Sequence, residues 1–452
     1  MDLETPFPYQ TVGGAFLARH DQALLADEMG LGKSCQAVLG CDLVGARRIL
    51  IICPGVGRIN WTREFARFSP FDRECQVIMT GKDPVQATGP VVIIISFDLV
   101  AAHATTLARG EPFDVLVIDE AHYLKERSAR RTKLIYGATG LFKSCLRVWR
   151  LTGTPAPNDF SELFTHLKSA GIVTDSYWDF VFRYCTGFNS GFGFKITGSK
   201  NVDELKGLLD RFMLRRKKKD VMAELPPLTF QEVVVDKSMV DLDPYFVDQT
   251  RGKTTGEFFE TLKVADQTLR NALKAVATAG GRVDVLTALN GGSMITLRRF
   301  IGLAKLPKIL EILTEELKTK AVEKIVLFAV HKDVIEGARV ALQAFGPVTL
   351  YGGTPQAKRQ ANIDRFQNDP KCRVFIGNVE AAGTTITLTK AHEVGFLEMD
   401  WTPARNAQAA MRCHRIGQEN PVRVRAFSLA GSVDEEVMKT LLRKTRELSK
   451  IF

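Results

Sequence analysis

LLADEMGLGKS, residues 24 to 34, holds an apolar run that stops at Ala26, a turn carrying Gly30 and Gly32, and Lys33-Ser34 at the head of a helical pattern. Small residues in such a turn let backbone N–H groups surround phosphate oxygens, and the amino terminus of the following helix adds positive potential. Lys33 is then within reach of β and γ phosphates, and the Ser34 hydroxyl is placed to ligate magnesium. The stretch departs from GxxxxGK[ST] in one respect: Asp27 stands where that pattern has its first glycine. The plainer alternative is an ordinary glycine turn, and the strand before it and the helix after it weigh against that.

On either side of this loop, the near-continuous apolar runs at 24–26, 48–53, 91–95, 115–118 and 148–151 read as strands of a parallel sheet covered on both faces, with helices at 33–44, 59–68 and 131–144 between them. A ligand belongs at the carboxyl ends of such strands. The pattern changes after Pro157: residues 160 to 225 mix helical pieces with the glycine- and aromatic-rich FNSGFGFKITG, the basic run RRKKKD at 215–220, and a break at Pro226-Pro227. Residues 241 to 300 look helical. Strand-helix alternation resumes at KIVLFAV, 324–330, and runs through PVTLY, CRVFIG, EVGFLEM and VRVRAF, with no second phosphate loop. The expected fold class is α/β, with lobes at 1–170 and 301–452 and a helical insertion and brace at 171–300. Only the first lobe grips nucleotide, so the second can complete a site only by closing on it.

FDVLVIDEAHYLK, 113–125, brings two adjacent carboxylates to a strand exit, where burying both without cation or water partners is costly. Asp119 is placed to hold magnesium, directly or through water, and Glu120 to orient or deprotonate an attacking water; a solvated acidic turn is the alternative. His122 reads as a hydrogen-bonding coupler more than a base. Its partner is the next strand exit, VWRLTGTPAPN at 148–158, where Thr152 and Thr154 offer hydroxyls and Gly153 permits a close turn. Far downstream, Gln408, Arg412, Arg415 and Gln418 recur at offsets of four, three and three, which on a helix make one polar face.

Composition narrows the function classes. With 45% hydrophobic residues the chain has material for more than one core, and 61 basic against 51 acidic residues leave a formal charge of +10, which favours a polyanionic partner. The 8 cysteines form no CxxC pair, so a zinc site or disulfide framework is not expected, and Cys413-His414 supplies at most two ligands. The opening MDLETPFPYQ lacks a basic start and apolar run, and the apolar runs are too short to cross a bilayer. A soluble intracellular protein without a membrane partner is expected.

Together DEMGLGKS, DEAH and LTGTPAPN resemble the helicase superfamily 2 core, in its Swi2/Snf2-like branch, and the resemblance extends over nearly the whole chain. It implies two RecA-like lobes, ATP and Mg2+ as cofactors, and a DNA-dependent ATPase that translocates on double-stranded or branched DNA. By the same resemblance Gln10, in PFPYQTVGGAFL, reads the adenine edge. Arg58, in ICPGVGRINWTREFARF, and Ser96, in IISFDLV, contact DNA phosphates. His331 and Lys332, in LFAVHKDVIE, lie at a strand exit that contacts the tracked strand, while YGGTPQAKRQANIDRFQND is characteristic of the branch. Arg415, with Arg412 beside it, faces the ATP phosphates as an arginine finger, and Gln408 and Gly383 join the nucleotide-binding set. Arg215 and Arg216, in RFMLRRKKKDVMAELPP, are either DNA contacts or part of an interlobe brace. Thr385 stands where many relatives have glycine, and Thr402 where they commonly have asparagine. IGLAKLPKILEIL at 301–313 resembles the annealing or fork-remodelling subgroup. Protein partners within a larger DNA-processing system are compatible with this reading. The alternatives are a strand-separating DNA or RNA helicase and a nucleotide-controlled DNA-binding scaffold.

Overall fold

The computed structural model describes residues 3–189, 191, 193–222, 225–236, 247–248, 253–254, 291–382, 386–415, 417–430 and 432–448. The chain divides into two compact units, residues 1–224 with 444–452, and residues 225–443.

The first unit is built on seven strands: β1 (Gln22–Leu25), β2 (Arg48–Cys53), β3 (Cys75–Val77), β4 (Val91–Ser96), β5 (Phe113–Asp119), β6 (Cys145–Leu151) and β9 (Met213–Leu214). They lie in the order β3-β4-β2-β5-β6-β1-β9, and every adjacent pair is parallel. Alternation along the strands divides the apolar runs between two cores. Ile49, Ile51, Val115 and Val117 pack on one face with Trp61 and Trp149, whereas Leu50, Ile52, Leu116 and Ile118 pack on the other with Phe97 and Leu124. The covering helices are α1 (Pro8–Ala18), α2 (Lys33–Leu43), α3 (Arg58–Phe68), α4 (Val100–Arg109) and α5 (Arg130–Tyr136). Helix α5 is half the length its pattern suggests: a Cβ on Gly137 would lie 2.2 Å from the Lys133 carbonyl and one on Gly140 2.4 Å from that of Ile135, so these two glycines turn the chain away.

Beyond β6 come α6 (Phe164–Ser169), α7 (Tyr177–Tyr184), the antiparallel hairpin β7 (Cys185–Asn189) and β8 (Phe194–Ser199), α8 (Val202–Leu209) and, after β9, α9 (Lys218–Val221). Of these, α6, α7, the hairpin and α8 share a core with Leu24 and Ala26. Residues 171–222, grouped by sequence with the insertion, therefore belong to the first unit, because β9 hydrogen-bonds along β1 and closes its edge.

The second unit repeats the architecture. Strands β10 (Leu228–Val235), β13 (Ile325–Ala329), β14 (Val348–Leu350), β15 (Val374–Asn378), β16 (Glu393–Phe396) and β17 (Val422–Leu429) make a sheet ordered β10-β17-β16-β13-β15-β14, again all parallel. β11 (Val247–Asp248) and β12 (Lys253–Thr254) form a separate antiparallel pair. Helix α10 (Gly291–Lys318) carries the IGLAKLPKILEIL stretch and buries Ile301, Leu306, Ile309 and Leu313 against the sheet. It is followed by α11 (Lys332–Ala341), α12 (Gln356–Asn368), α13 (Val379–Ala382), α14 (Pro403–Ala410) and α15 (Val433–Leu448), the last of which belongs to this unit only as far as Arg443. Of residues 241–300, expected to be helical, 291–300 open α10, but Val247–Asp248 and Lys253–Thr254 are strands, and 241–246, 249–252 and 255–290 lie outside the described residues. No described helix is long and apolar enough to cross a membrane.

Candidate nucleotide site

In the sheet order β5-β6-β1, the carboxyl ends of three neighbouring strands deliver the three segments singled out by sequence. β1 runs into the phosphate loop, β5 ends at Asp119 and β6 leads to Thr152-Gly153-Thr154. The loop turns through Gly30 at φ 87° and Gly32 at φ 68°, left-handed conformations open to glycine at little cost. Gly32 caps α2, so Lys33 and Ser34 occupy its first turn. A Cβ on Gly32 would also fall 2.2 Å from Gln10 Nε2, which makes close approach a second reason for that glycine.

Lys33 Nζ donates to the backbone carbonyls of Asp27 at 2.8 Å and Glu28 at 3.4 Å. Burial pulls the ammonium's pKa below its ordinary value, against the opposing pull of Glu120, Asp27 and Asp119. Asp119 accepts from Trp61 Nε1 at 3.1 Å and from the Glu120 backbone N–H at 2.9 Å. Burial first and the Glu120 charge second push its carboxyl up to about 7. Glu120 has φ 53°, a left-handed non-glycine conformation at the strand exit. His122 Nδ1 lies 3.2 Å from Glu120 Oε2 and 3.1 Å from Thr152 Oγ1, which also accepts from the Thr154 N–H at 3.1 Å. Gly153 backs onto the phosphate loop: a Cβ there would come within 2.4 Å of Met29 Cγ and 3.4 Å of Lys33 Nζ. The acidic pair, the coupling histidine and the loop are thus one contiguous cluster.

A hydroxyl, Ser34, and a carboxylate, Asp119, suit magnesium, which takes oxygen ligands and needs few from protein when phosphates supply others. Burial and, second, the Glu120 charge disfavour the ionised Asp119, and a cation bound there would offset both. Gln10 is 3% exposed, and its side chain accepts from the Phe7 N–H at 3.0 Å and donates to the Leu31 carbonyl at 3.4 Å, so it joins α1 to the loop.

The network that holds the loop gives Asp27, Arg216 and Gln36 a role that the sequence does not assign them. Asp27, fully buried, is ion-paired with Arg216 and also accepts from the Arg216 N–H at 3.0 Å and Gln36 Nε2 at 3.0 Å. Arg216 further donates to the Tyr9 carbonyl at 2.6 Å and Gln36 Oε1 at 2.8 Å. Glu28 receives the Lys218 N–H at 2.7 Å, and its own N–H donates to the Arg216 carbonyl at 2.9 Å. The acidic residue in place of the first glycine is therefore the anchor of a clamp. Its signal in the sequence is an Asp-Glu pair and an Arg-Arg pair of opposite sign, with Asp27 and Arg216 189 residues apart.

The residues of the first unit expected to contact DNA also make bonds within it. Arg216 is held by Asp27, and Arg215 donates to the Ala26 carbonyl at 2.8 Å and the Gly153 carbonyl at 3.4 Å, its pKa lowered by burial. Both guanidiniums are held by bonds within the first unit. Ser96 is 3% exposed and lies against the Gly55 turn. Arg58 donates to the carbonyl of Gly55 in its own turn and to those of Ile78 and Met79 just after β3, so it ties the two segments together.

In the second unit, His331 Nδ1 lies 2.6 Å from Glu398 Oε1, and Glu398 also accepts the N–H groups of Val330 and His331. The buried Glu398 would be raised by desolvation, yet the histidine's bond and charge bring it below its ordinary range. Lys332 sits 5.2 Å over the Tyr351 ring. The expected polar helical face at 408–418 is not one helix. Helix α14 stops at Ala410 and the chain turns through 411–415, leaving Gln408 on the helix and Arg412 and Arg415 in the turn. Gln408 and Arg412 are buried; Arg415 is half-buried and donates to the Met411 carbonyl at 3.3 Å and Thr387 Oγ1 at 3.4 Å. Gln418 is structural, donating to the carbonyls of Thr389, Ala391 and Cys413. Thr402 caps α14, while Gly383 and Thr385 lie outside the described residues.

Residues 9–278 match the SNF2-related domain and residues 305–417 the helicase conserved C-terminal domain. Over 98% of its length the chain is 31% identical to a Caenorhabditis elegans homolog of SWI/SNF-related matrix-associated actin-dependent regulator of chromatin subfamily A-like protein 1, covering 61% of that protein. It is 28% identical over 97% of its length to the human DNA annealing helicase and endonuclease ZRANB3, covering 40%. The chain thus spans about half the length of the curated relatives it matches. Among solved structures it is similar, at 21% identity and a TM-score of 0.43, to the Sulfolobus solfataricus SWI2/SNF2 ATPase core in complex with dsDNA, covering 100% of this chain and 99% of that one.

Proposed function

Since the chain belongs to the SNF2-related domain family, we propose that it hydrolyses ATP to ADP and phosphate and uses the cycle to move along double-stranded DNA, remodelling DNA or protein–DNA complexes. The observation that carries this reading is the meeting of the phosphate loop, the Asp119-Glu120 pair and the Thr152–Thr154 loop at three adjoining strand ends. Fork regression or strand annealing are the activities favoured within it, because relatives of the chain bear the name DNA annealing helicase.

In this proposal Lys33 exchanges its loop carbonyls for the β and γ phosphates, and the N–H groups around Gly30 and Gly32 cradle the oxygens. Ser34 and Asp119 would hold Mg2+, which supplies charge neutralisation for the transferred phosphoryl group. Glu120 orients the attacking water and draws its proton as the bond to the leaving ADP oxygen breaks, while His122 relays the arrangement to Thr152. Gln10 reads the adenine. Arg412 and Arg415, with Gln408 and Gly383, contribute from the second unit, so that turnover requires the two units to meet.

The test is steady-state ATP turnover at matched ionic strength without nucleic acid and with duplex DNA, single strands, forked DNA and duplex RNA. Strong stimulation by plain duplex is expected. Stimulation mainly by single strands or RNA would replace the translocase with a strand-separating helicase. Glu120→Gln should retain ATP binding and lose turnover by about a hundredfold or more, and Arg415→Ala should lose turnover more than binding; full turnover in the first variant removes Glu120 from the reaction.

A further inference from the structure

Helix α7 buries Phe180, Val181 and Tyr184 on one side, as an amphipathic helix should. Its other side is aromatic too. Trp178 and Phe182, one turn apart, are 45% and 52% exposed and stack at 5.8 Å between ring centroids. Phe194, at the start of β8, meets them edge-on at 6.3 and 5.3 Å. Single exposed apolar residues need no explanation, but a contiguous aromatic ladder does.

The hairpin carries a second aromatic surface. In the β7/β8 register Phe188 faces Lys195 and Asn189 faces Phe194, so alternation sends Phe188 and Lys195 to the side opposite Phe194. Phe188 is 53% exposed. Rings therefore lie on both faces of the two-stranded hairpin. Residues 185–200 contain Lys195 and Lys200 and no carboxylate, so the hairpin itself is cationic. Arg183, at its base, is already paired with Glu204 and Asp175. Flat rings beside ammonium groups match unpaired nucleobases on a phosphate backbone, since every base offers a π-face whatever its sequence.

We propose that this hairpin, with Trp178 and Phe182, is a stacking site for unpaired bases, which directs the motor to DNA where strands are separated. The proposal rests on the translocase reading for its motor, not for its site.

The full-length chain is compared with its Phe188→Ala, Phe188→Tyr and Phe188→Leu variants, using duplex DNA, forked DNA with unpaired arms, and a single-stranded oligonucleotide. Affinity, ATP turnover and the Trp178 emission, isolated by subtracting a Trp178→Phe variant, are recorded. The oligonucleotide should quench Trp178, and Phe188→Ala should weaken fork binding by about fivefold or more while stimulation by plain duplex is unchanged. Phe188→Tyr should keep the fork effect and Phe188→Leu should not. Equal fork affinity in all variants, or retention by Leu as well as Tyr, overturns stacking. A Trp178 signal silent to DNA in a protein whose self-association falls in Phe188→Ala overturns it in favour of protein docking. If no DNA stimulates turnover yet the oligonucleotide quenches Trp178 and Phe188→Ala weakens its binding, the stacking site stands and the translocase reading falls.

Discussion

His166 has no solvent exposure; its ring meets Tyr136 edge-on at 5.9 Å, and its Nδ1 lies 3.3 Å from the Tyr136 hydroxyl. Burial first, then the charges of Arg150 and His122, push its pKa down to about 3 from an ordinary 6.5. An unfolded chain binds this proton below about pH 6.5 and the folded one does not until about pH 3, so the stability it contributes is present above the higher value and lost as pH falls toward the lower. Thermal unfolding followed from about pH 7 to about pH 4 should show a smaller acid-side loss in His166→Gln than in the parent. Equal slopes would mean that His166 does not carry the difference. The residues that do the proposed chemistry are easier to read than this one: Lys33, Ser34, Asp119 and Glu120 stand in short local patterns whose purpose comes directly from phosphate chemistry. Asp27 is legible only as a departure from pattern, because its partner Arg216 lies in a stretch whose charge looks like an ordinary solvated face.

Among the elements, the parallel strands are legible because their apolar runs are continuous and each is bounded by turn residues. β9 is not: two residues leave no periodicity to detect, and the segment after it is basic. The stripe at 408–418 misleads in the opposite way, since regular offsets imply a helix only if the backbone remains one, and α14 ends at Ala410. The clamp between the loop and residues 215–218 carries its own expectation. Arg216→Ala leaves Asp27 buried with its counter-charge gone, a loss of about 3–5 kcal/mol by the usual cost of breaking a buried pair. Denaturant unfolding should show it, and Arg216→Lys should recover little, because an ammonium cannot supply the guanidinium's separate bonds to Asp27, Tyr9 and Gln36. A loss below about 1 kcal/mol would reduce the clamp to a surface pair.

At the scale of the molecule, the chain has two parallel-sheet units and a formal charge of +10. If phosphates are its main partner, the logarithm of the DNA association constant should fall linearly with the logarithm of salt, by about 0.9 for each phosphate neutralised. Binding indifferent to salt would contradict a backbone-tracking protein. The exposed Lys195 and Lys332 would contribute to that slope, together with whichever of the proposed contacts Arg58, Arg215 and Arg216 reach phosphate. If the chain is the motor proposed above, the edge of its first sheet would carry part of the load. Its last sheet strand runs parallel to β1, and the N–H groups of Leu24, Ala26 and Glu28 donate in succession to the carbonyls of Phe212, Leu214 and Arg216. Tension drawn along the chain at Lys217 loads those three bonds and the Asp27 pair together, in shear, where a hairpin pulled apart would give way one rung at a time. In the proposed motor the edge of the sheet would thus serve as a mechanical anchorage, and Lys33, which would meet ATP there, is fastened to the Asp27 and Glu28 carbonyls beside it.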